Sequence, residues 1–201
     1  MEAIITGDII QSRKTEVEVW ITALKEILGN YGTTPLDWEL YRGDSFQIIT
    51  TPQNVLFLSV IIKAGMKKIN NIDVRMGLGI GELEYRAEKV TESNGTAFIN
   101  SGTCFDSLKK QTVAIKTPWR DFDETINVML DLATFTMDKW SEKTAEIMLL
   151  KLQSPELNQK EIATHLNKKG QGNISEGLKR GGYEEINKVL EYYQKKIKQL
   201  C

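Results

Sequence analysis

The chain is poor in the residues that build most catalytic and metal centres. It has one histidine, His165, so a histidine-based triad or a multi-histidine metal site is excluded. Its two cysteines, Cys104 and Cys201, cannot form a disulfide framework or a zinc site, which points to a reducing compartment. No apolar run approaches the roughly 20 residues that a membrane-spanning helix needs. Met1 to Asp8 has no basic segment and reaches an acid at once, so no signal peptide is expected and a cytoplasmic location is. Gly77, Gly79 and Gly81 are not followed by a Lys-Ser/Thr pair, which excludes a phosphate loop. There is no internal repeat and no low-complexity stretch. His165 reads as a solvated surface residue, and Cys104 as a small buried hydrophobe rather than a nucleophile.

Net charge is also nearly absent. The 201 residues carry 26 Lys+Arg and 27 Asp+Glu, a formal charge of −1. The sum hides an asymmetry. Residues 1–139 hold 15 basic and 19 acidic side chains, whereas residues 140–201 hold 11 and 8. Such imbalances arise by chance as well as by design. The split is nevertheless where two functions would divide: a domain over 1–139 and a smaller one over 140–201.

What is present reads as α+β. Ala3–Ile10 is a β-branched run, read as a buried strand. Val17, Trp20, Ile21, Leu24 and Leu28 recur at helical spacing before Gly29 and Gly32. Residues 38–41 and 46–50 read as strands joined by a turn at Arg42-Gly43-Asp44-Ser45. A second helix starts at Pro52 and carries Val55, Leu58, Ile62 and Met66 on one face. Asp73–Gly81 is a strand in which three glycines alternate with Met76, Leu78 and Ile80, so another backbone or a ligand comes close to the glycine face. A strand at 113–116 and a helix over 122–137 complete this part. The order β-α-β-β-α-β is that of a ferredoxin-like fold, with strands in the order 4-1-3-2 and helices on one face.

In that topology strands one and three are antiparallel neighbours, which brings Asp8 and Asp44 to one edge of the sheet. Two carboxylates with the backbone carbonyl of Ile9 make an oxygen cage suited to Mg²⁺ or Mn²⁺ bound to phosphates. The alternative is that both are separate turn residues following glycine. Ser12 and Arg13 are placed to touch a phosphate, or are a helix cap and a surface charge.

Thr6-Gly7-Asp8-Ile9-Ile10, Tyr41-Arg42-Gly43-Asp44-Ser45-Phe46-Gln47 and Val74-Arg75-Met76-Gly77-Leu78-Gly79-Ile80-Gly81 resemble the SatD family of bacterial proteins over nearly the whole chain. More remotely, over about the first 115 residues, the same blocks resemble the palm-like domain of class III nucleotide cyclases. That likeness implies a two-metal site with Asp8 and Asp44 as the metal aspartates. Nucleotide contacts are then expected from Ile9, Ser12, Arg13 and Arg75, and the likeness implies a catalytic role for Asn100, which falls at the transition-state asparagine of Gly95-Thr96-Ala97-Phe98-Ile99-Asn100. Two departures argue against an active cyclase. Cys104 stands where the cyclases carry an arginine, and Trp38-Glu39-Leu40-Tyr41 offers no purine-selecting lysine.

The basic C-terminal segment reads as helical. Ser141 caps a helix that ends at Pro155. A short helix over 158–166, a glycine-containing turn and a polar helix after Asn173 have helix-turn-helix composition. Gln171, Asn173, Ser175, Lys179 and Arg180 would face DNA. A plain helical subdomain or a protein-binding module has the same composition. In the last helix Ile186, Leu190, Tyr193, Ile197 and Leu200 form a heptad-like seam, either packed on its own domain or available for a homodimer. The expected function is a SatD-like transcriptional regulator that senses a nucleotide or divalent metal and binds DNA. The rival expectation is a metal-dependent nucleotidyl or phosphoryl transferase with the tail as a dimerisation element.

Overall fold

The computed structural model describes residues 1–167 and 171–201, the side chain of Gln171 excepted. Five strands form one sheet: β1 (Glu2–Ile10), β2 (Trp38–Tyr41), β3 (Ser45–Thr50), β4 (Asp73–Gly81) and β5 (Val113–Lys116). They lie in the order β2-β3-β1-β4-β5. The expected order of the first four strands is therefore present, and β5 extends the sheet as a parallel neighbour of β4. β1 is central, antiparallel to both β3 and β4. Its residues 3–7 are buried on both faces, which is why Ala3-Ile4-Ile5 reads as a continuous apolar run rather than an alternation.

Helices cover both faces, not one. On the first face lie α1 (Val17–Gly29) and α2 (Val55–Lys67), packed over Ala3, Ile5, Ile9, Val74, Met76 and Leu78. On the other face α3 (Thr96–Ser107) lies directly on β4. The glycine row explains the placement. A Cβ at Gly77 would stand 2.3 Å from the Phe105 nitrogen, one at Gly79 2.2 Å from that of Ser101, and one at Gly81 2.5 Å from that of Ala97. The helix backbone occupies the space that side chains would fill, as the alternation of glycines required.

Among the described residues four helices follow α4 (Arg120–Met137): α5 (Glu142–Gln153), α6 (Gln159–His165), α7 (Gln171–Gly181) and α8 (Tyr183–Leu200). Ser141 caps α5 by accepting from the Thr144 N–H, and Asn158 with Glu161 forms a capping box on α6. The division expected at 139/140 falls inside one continuous apolar core. Trp140, Ala145, Met148 and Leu152 belong to the same cluster as the sheet, and so does the α8 seam Ile186, Leu190, Tyr193 and Ile197. Tyr193 Oη donates to the Pro52 carbonyl at 2.5 Å, and Trp140 Nε1 to that of Gly181 at 3.0 Å. The heptad-like seam is thus spent within the chain. A smaller cluster of Ile147, Ile162, Ala163 and Ile174 joins α5, α6 and α7. There Gly177 and Gly181 let α7 approach, since a Cβ at either would meet Ile147 or Met148 at 2.5 Å.

One ion cluster pins these layers together. Lys63, fully buried in an otherwise apolar stretch of α2, places Nζ 2.6 Å from Asp73 Oδ1 and 2.6 Å from Asp138 Oδ1. It also donates to Thr112 Oγ1 at 3.1 Å, and that hydroxyl donates to Asp138 at 2.7 Å. Lys67 adds a hydrogen bond to the Asp138 carbonyl at 2.8 Å. The start of β4, α2 and the turn after α4 meet at this point.

Candidate functional site

Asp8 and Asp44 do come together at the edge where β1 leaves β3. Asp8 is opposite Ser45 in the β1–β3 register, and the Ile9 N–H donates to the Asp44 carbonyl at 3.0 Å. Two turns present the site, and each uses left-handed backbone: Gln11 at φ 63° in one, Arg42 at 54° and Gly43 at 95° in the other. Ser12 follows Gln11, and its hydroxyl donates to Asp44 Oδ2 at 2.7 Å. The Trp20 indole fixes that turn by donating to the Ser12 carbonyl at 3.1 Å.

The carboxylate of Asp8 does not face an empty cage. Arg75, its cross-strand partner on β4, binds it bidentately, Nε to Oδ1 at 2.8 Å and Nη2 to Oδ2 at 2.7 Å. The guanidinium also lies 4.9 Å from the centre of the Phe105 ring. Its hydrogen bonds to Asp8 raise the Arg75 pKa against the opposing effect of burial, and the charges of Asp8, Asp106 and Asp44 add to the rise. Burial raises the pKa of Tyr41 beside it; the charge of Arg42 opposes the rise, and Asp8 and Asp106 add to it. Three carboxylates therefore act on Arg75, and Arg42 is a second cation within reach of Tyr41. The cluster is open: the Arg75 side chain is 42% exposed and that of Asp8 22%. Below it a buried polar row runs under α3, with Thr6 Oγ1 3.0 Å from Ser101 Oγ and accepting from Gln47 Nε2 at 3.2 Å.

The other expected residues are spread more widely. Ile9 is buried in the β1–β4 ladder opposite Val74, and Arg13 is exposed on the turn after Ser12. Asn100 is not part of the cluster. Its amide donates to the Ile80 carbonyl at 2.8 Å, and Ile80 is five residues along β4 from Arg75, about 16 Å away at strand spacing. Cys104 is buried against β4, and burial pushes its thiol up to about 11, so it carries no thiolate near neutral pH. Sequence reasoning missed Phe105 and Asp106. The glycine row held the signal, because a helix laid on it antiparallel to β4 from residue 96 must reach Arg75 with its last turn. Among the described residues, no group of three or more His, Cys, Asp or Glu side chains is arranged to hold a metal ion.

On α7, Asn173, Ser175, Lys179 and Arg180 are all exposed, while Ile174 and Gly177 face the core. At about 100° per residue, Ser175 and Lys179 lie on one flank of the polar face and Asn173 and Arg180 on the other, with Glu176 between them. The side chain of Gln171 and residues 168–170, in the segment expected to form the glycine-containing turn, lie outside the described residues. No helix among those described is long and apolar enough to cross a membrane.

No curated protein matches the chain. The family model described as SatD family matches residues 2–189, nearly the full length, and the chain belongs to the SatD family.

Proposed function

We propose that this protein is a DNA-binding regulator that responds to a nucleotide carrying Mg²⁺ or Mn²⁺. The observation that carries this reading is the half-exposed Asp8–Arg75 pair with Asp44 and Ser12 beside it. A phosphate competes with Asp8 for Arg75, and a divalent cation competes with Arg75 for Asp8. A metal–nucleotide satisfies both released partners at once, whereas either component alone leaves one uncompensated. Mg²⁺ characteristically binds through one or two carboxylates plus substrate phosphates, which suits a pair of aspartates better than a resident-metal cage. The ferredoxin-like, cyclase-like architecture fits this role, with the α6–α7 pair as a helix-turn-helix whose Asn173, Ser175, Lys179 and Arg180 meet DNA. Glu176 in the middle of that face favours phosphate contact along its flanks over deep insertion.

The test is thermal stability with nucleoside triphosphates and Mg²⁺ or Mn²⁺, together and separately. Saturation at 100 times the Kd should add ~2.7 kcal/mol. Asp44→Asn and Arg75→Gln should abolish the gain. If no triphosphate with either metal raises the melting temperature, the sensing role is abandoned. DNA affinity should fall with salt, and Lys179→Ala and Arg180→Ala should each lower the salt slope by about one. The transferase reading loses its candidate catalytic amide, because Asn100 is held at the other end of β4.

A further inference from the structure

α4 carries two apolar seams, and only one is covered by the described residues. Phe122, Ile126, Leu130, Thr134 and Met137 face the core. The opposite side presents Val128, Leu132 and Phe135, which are 62%, 71% and 67% exposed. A helix that is apolar on two sides and covered on one is a joining surface. The outward seam continues at both ends into charged residues: Asp121, Thr125, Val128, Leu132, Phe135 and Lys139 follow one another at alternating spacings of four and three, all exposed. Lys139 is held at its end of the seam, with Nζ 3.2 Å from the centre of the Phe135 ring.

The pattern is self-complementary. When two copies of the seam run antiparallel about a twofold axis at the level of Leu130, each residue meets its counterpart across the axis. Val128 meets Leu132 of the second copy, Thr125 meets Phe135, and Asp121 meets Lys139. The same patch then serves both copies, as an isologous contact requires, and each apolar centre is closed by an opposite-charge pair at both ends. A parallel arrangement would set Asp121 on Asp121 and Lys139 on Lys139. Asp131 stands exposed beside the centre, so like charges of the two copies flank the axis and hold the association weak. One helix from each copy also lies at the small end of specific interfaces, below about 1,200 Å² in total. We propose that the protein forms a homodimer through the outward face of α4. The proposal is independent of any ligand at Asp8 and Arg75, and it replaces the seam of α8, which is buried within the chain.

Sedimentation of the full-length chain between about 1 and 300 μM tests it. The wild type is expected to pass from monomer to dimer with a micromolar midpoint. Leu132→Glu should weaken association by roughly a hundredfold and Val128→Lys by roughly as much. Both sites are exposed, so the melting temperature serves as the control for folding. Asp121→Lys and Lys139→Glu should each weaken the dimer, and the double exchange should restore it. A wild type that is monomeric throughout would overturn the proposal, as would a seam that binds only some other protein. A dimer indifferent to Leu132→Glu, or a charge exchange that restores nothing, would do the same.

Discussion

Lys63 and Arg75 are both cations held by aspartates at the same end of β4, on opposite faces of the sheet. Lys63 has no exposed surface and is met by two carboxylates, a hydroxyl and a carbonyl. Arg75 is two-fifths exposed, is met by one carboxylate and a ring, and has two further acids within electrostatic reach. In the first cluster the lysine itself is shut away from water between two acids that are 18% and 33% exposed, so its partners cannot be exchanged unless the surroundings open. In the second, water already competes for both partners, and two acids besides Asp8 act on the guanidinium. A closed cluster of this kind fixes position. An open one can answer a ligand.

The largest expected effect lies on the closed side. Lys63→Ala leaves Asp73 and Asp138 facing each other around a cavity and should cost about 3–5 kcal/mol, read from urea unfolding. If Lys63→Ala cost no more than disruption of Arg75, the contrast would collapse. Gly77→Ala comes next. The new Cβ forces the last turn of α3 away from β4 and takes Phe105 from the guanidinium, at about 1–3 kcal/mol. It should weaken any ligand at Arg75 more than Lys63→Ala does once stability is restored. A double-mutant cycle with Asp8→Asn and Arg75→Gln should give a coupling of only 0.2–1 kcal/mol, roughly the value of exposed pairs. About 1 M salt should erase that coupling and leave the Lys63 cluster intact. The smallest effect should be in thiol labelling at mildly alkaline pH. Cys201 is exposed and should react, whereas Cys104 is buried with its thiol pushed up to about 11 and should not. Lys63→Ala should open Cys104 to the reagent, and Arg75→Gln should leave it closed.

These clusters also mark how far the sequence could be read. The order of the first four strands followed from hydrophobic periodicity and turn positions, and with it the meeting of Asp8 and Asp44. The alternating glycines announced a close backbone, and α3 is that backbone. Periodicity says which face of an element is apolar but not which layer covers it, so the helix on the second face was not foreseen. Lys63 escaped for a related reason. It lies off the seam of Val55, Leu58, Ile62 and Met66, where a lysine reads as solvated, and its acids lie on distant segments. By sequence Arg75 reads as a nucleotide contact and Asp8, its partner in the fold, as a metal ligand. No spacing rule connects two residues that pair across neighbouring strands. The seam of α8 was legible as apolar, but whether it met the same chain or another was not.

Trp140 carries the last consequence. Its indole sits in the common core and donates to the end of α7, so the sheet and the polar helix have no flexible joint between them. A chain cut after Lys139 would lose the cover of α2 on one side and expose the inner faces of α5 and α8 on the other. The protein should therefore melt in one cooperative step. A molecule bound at the edge of β1 would then tighten α7 as part of the same folding unit, with no hinge to transmit through.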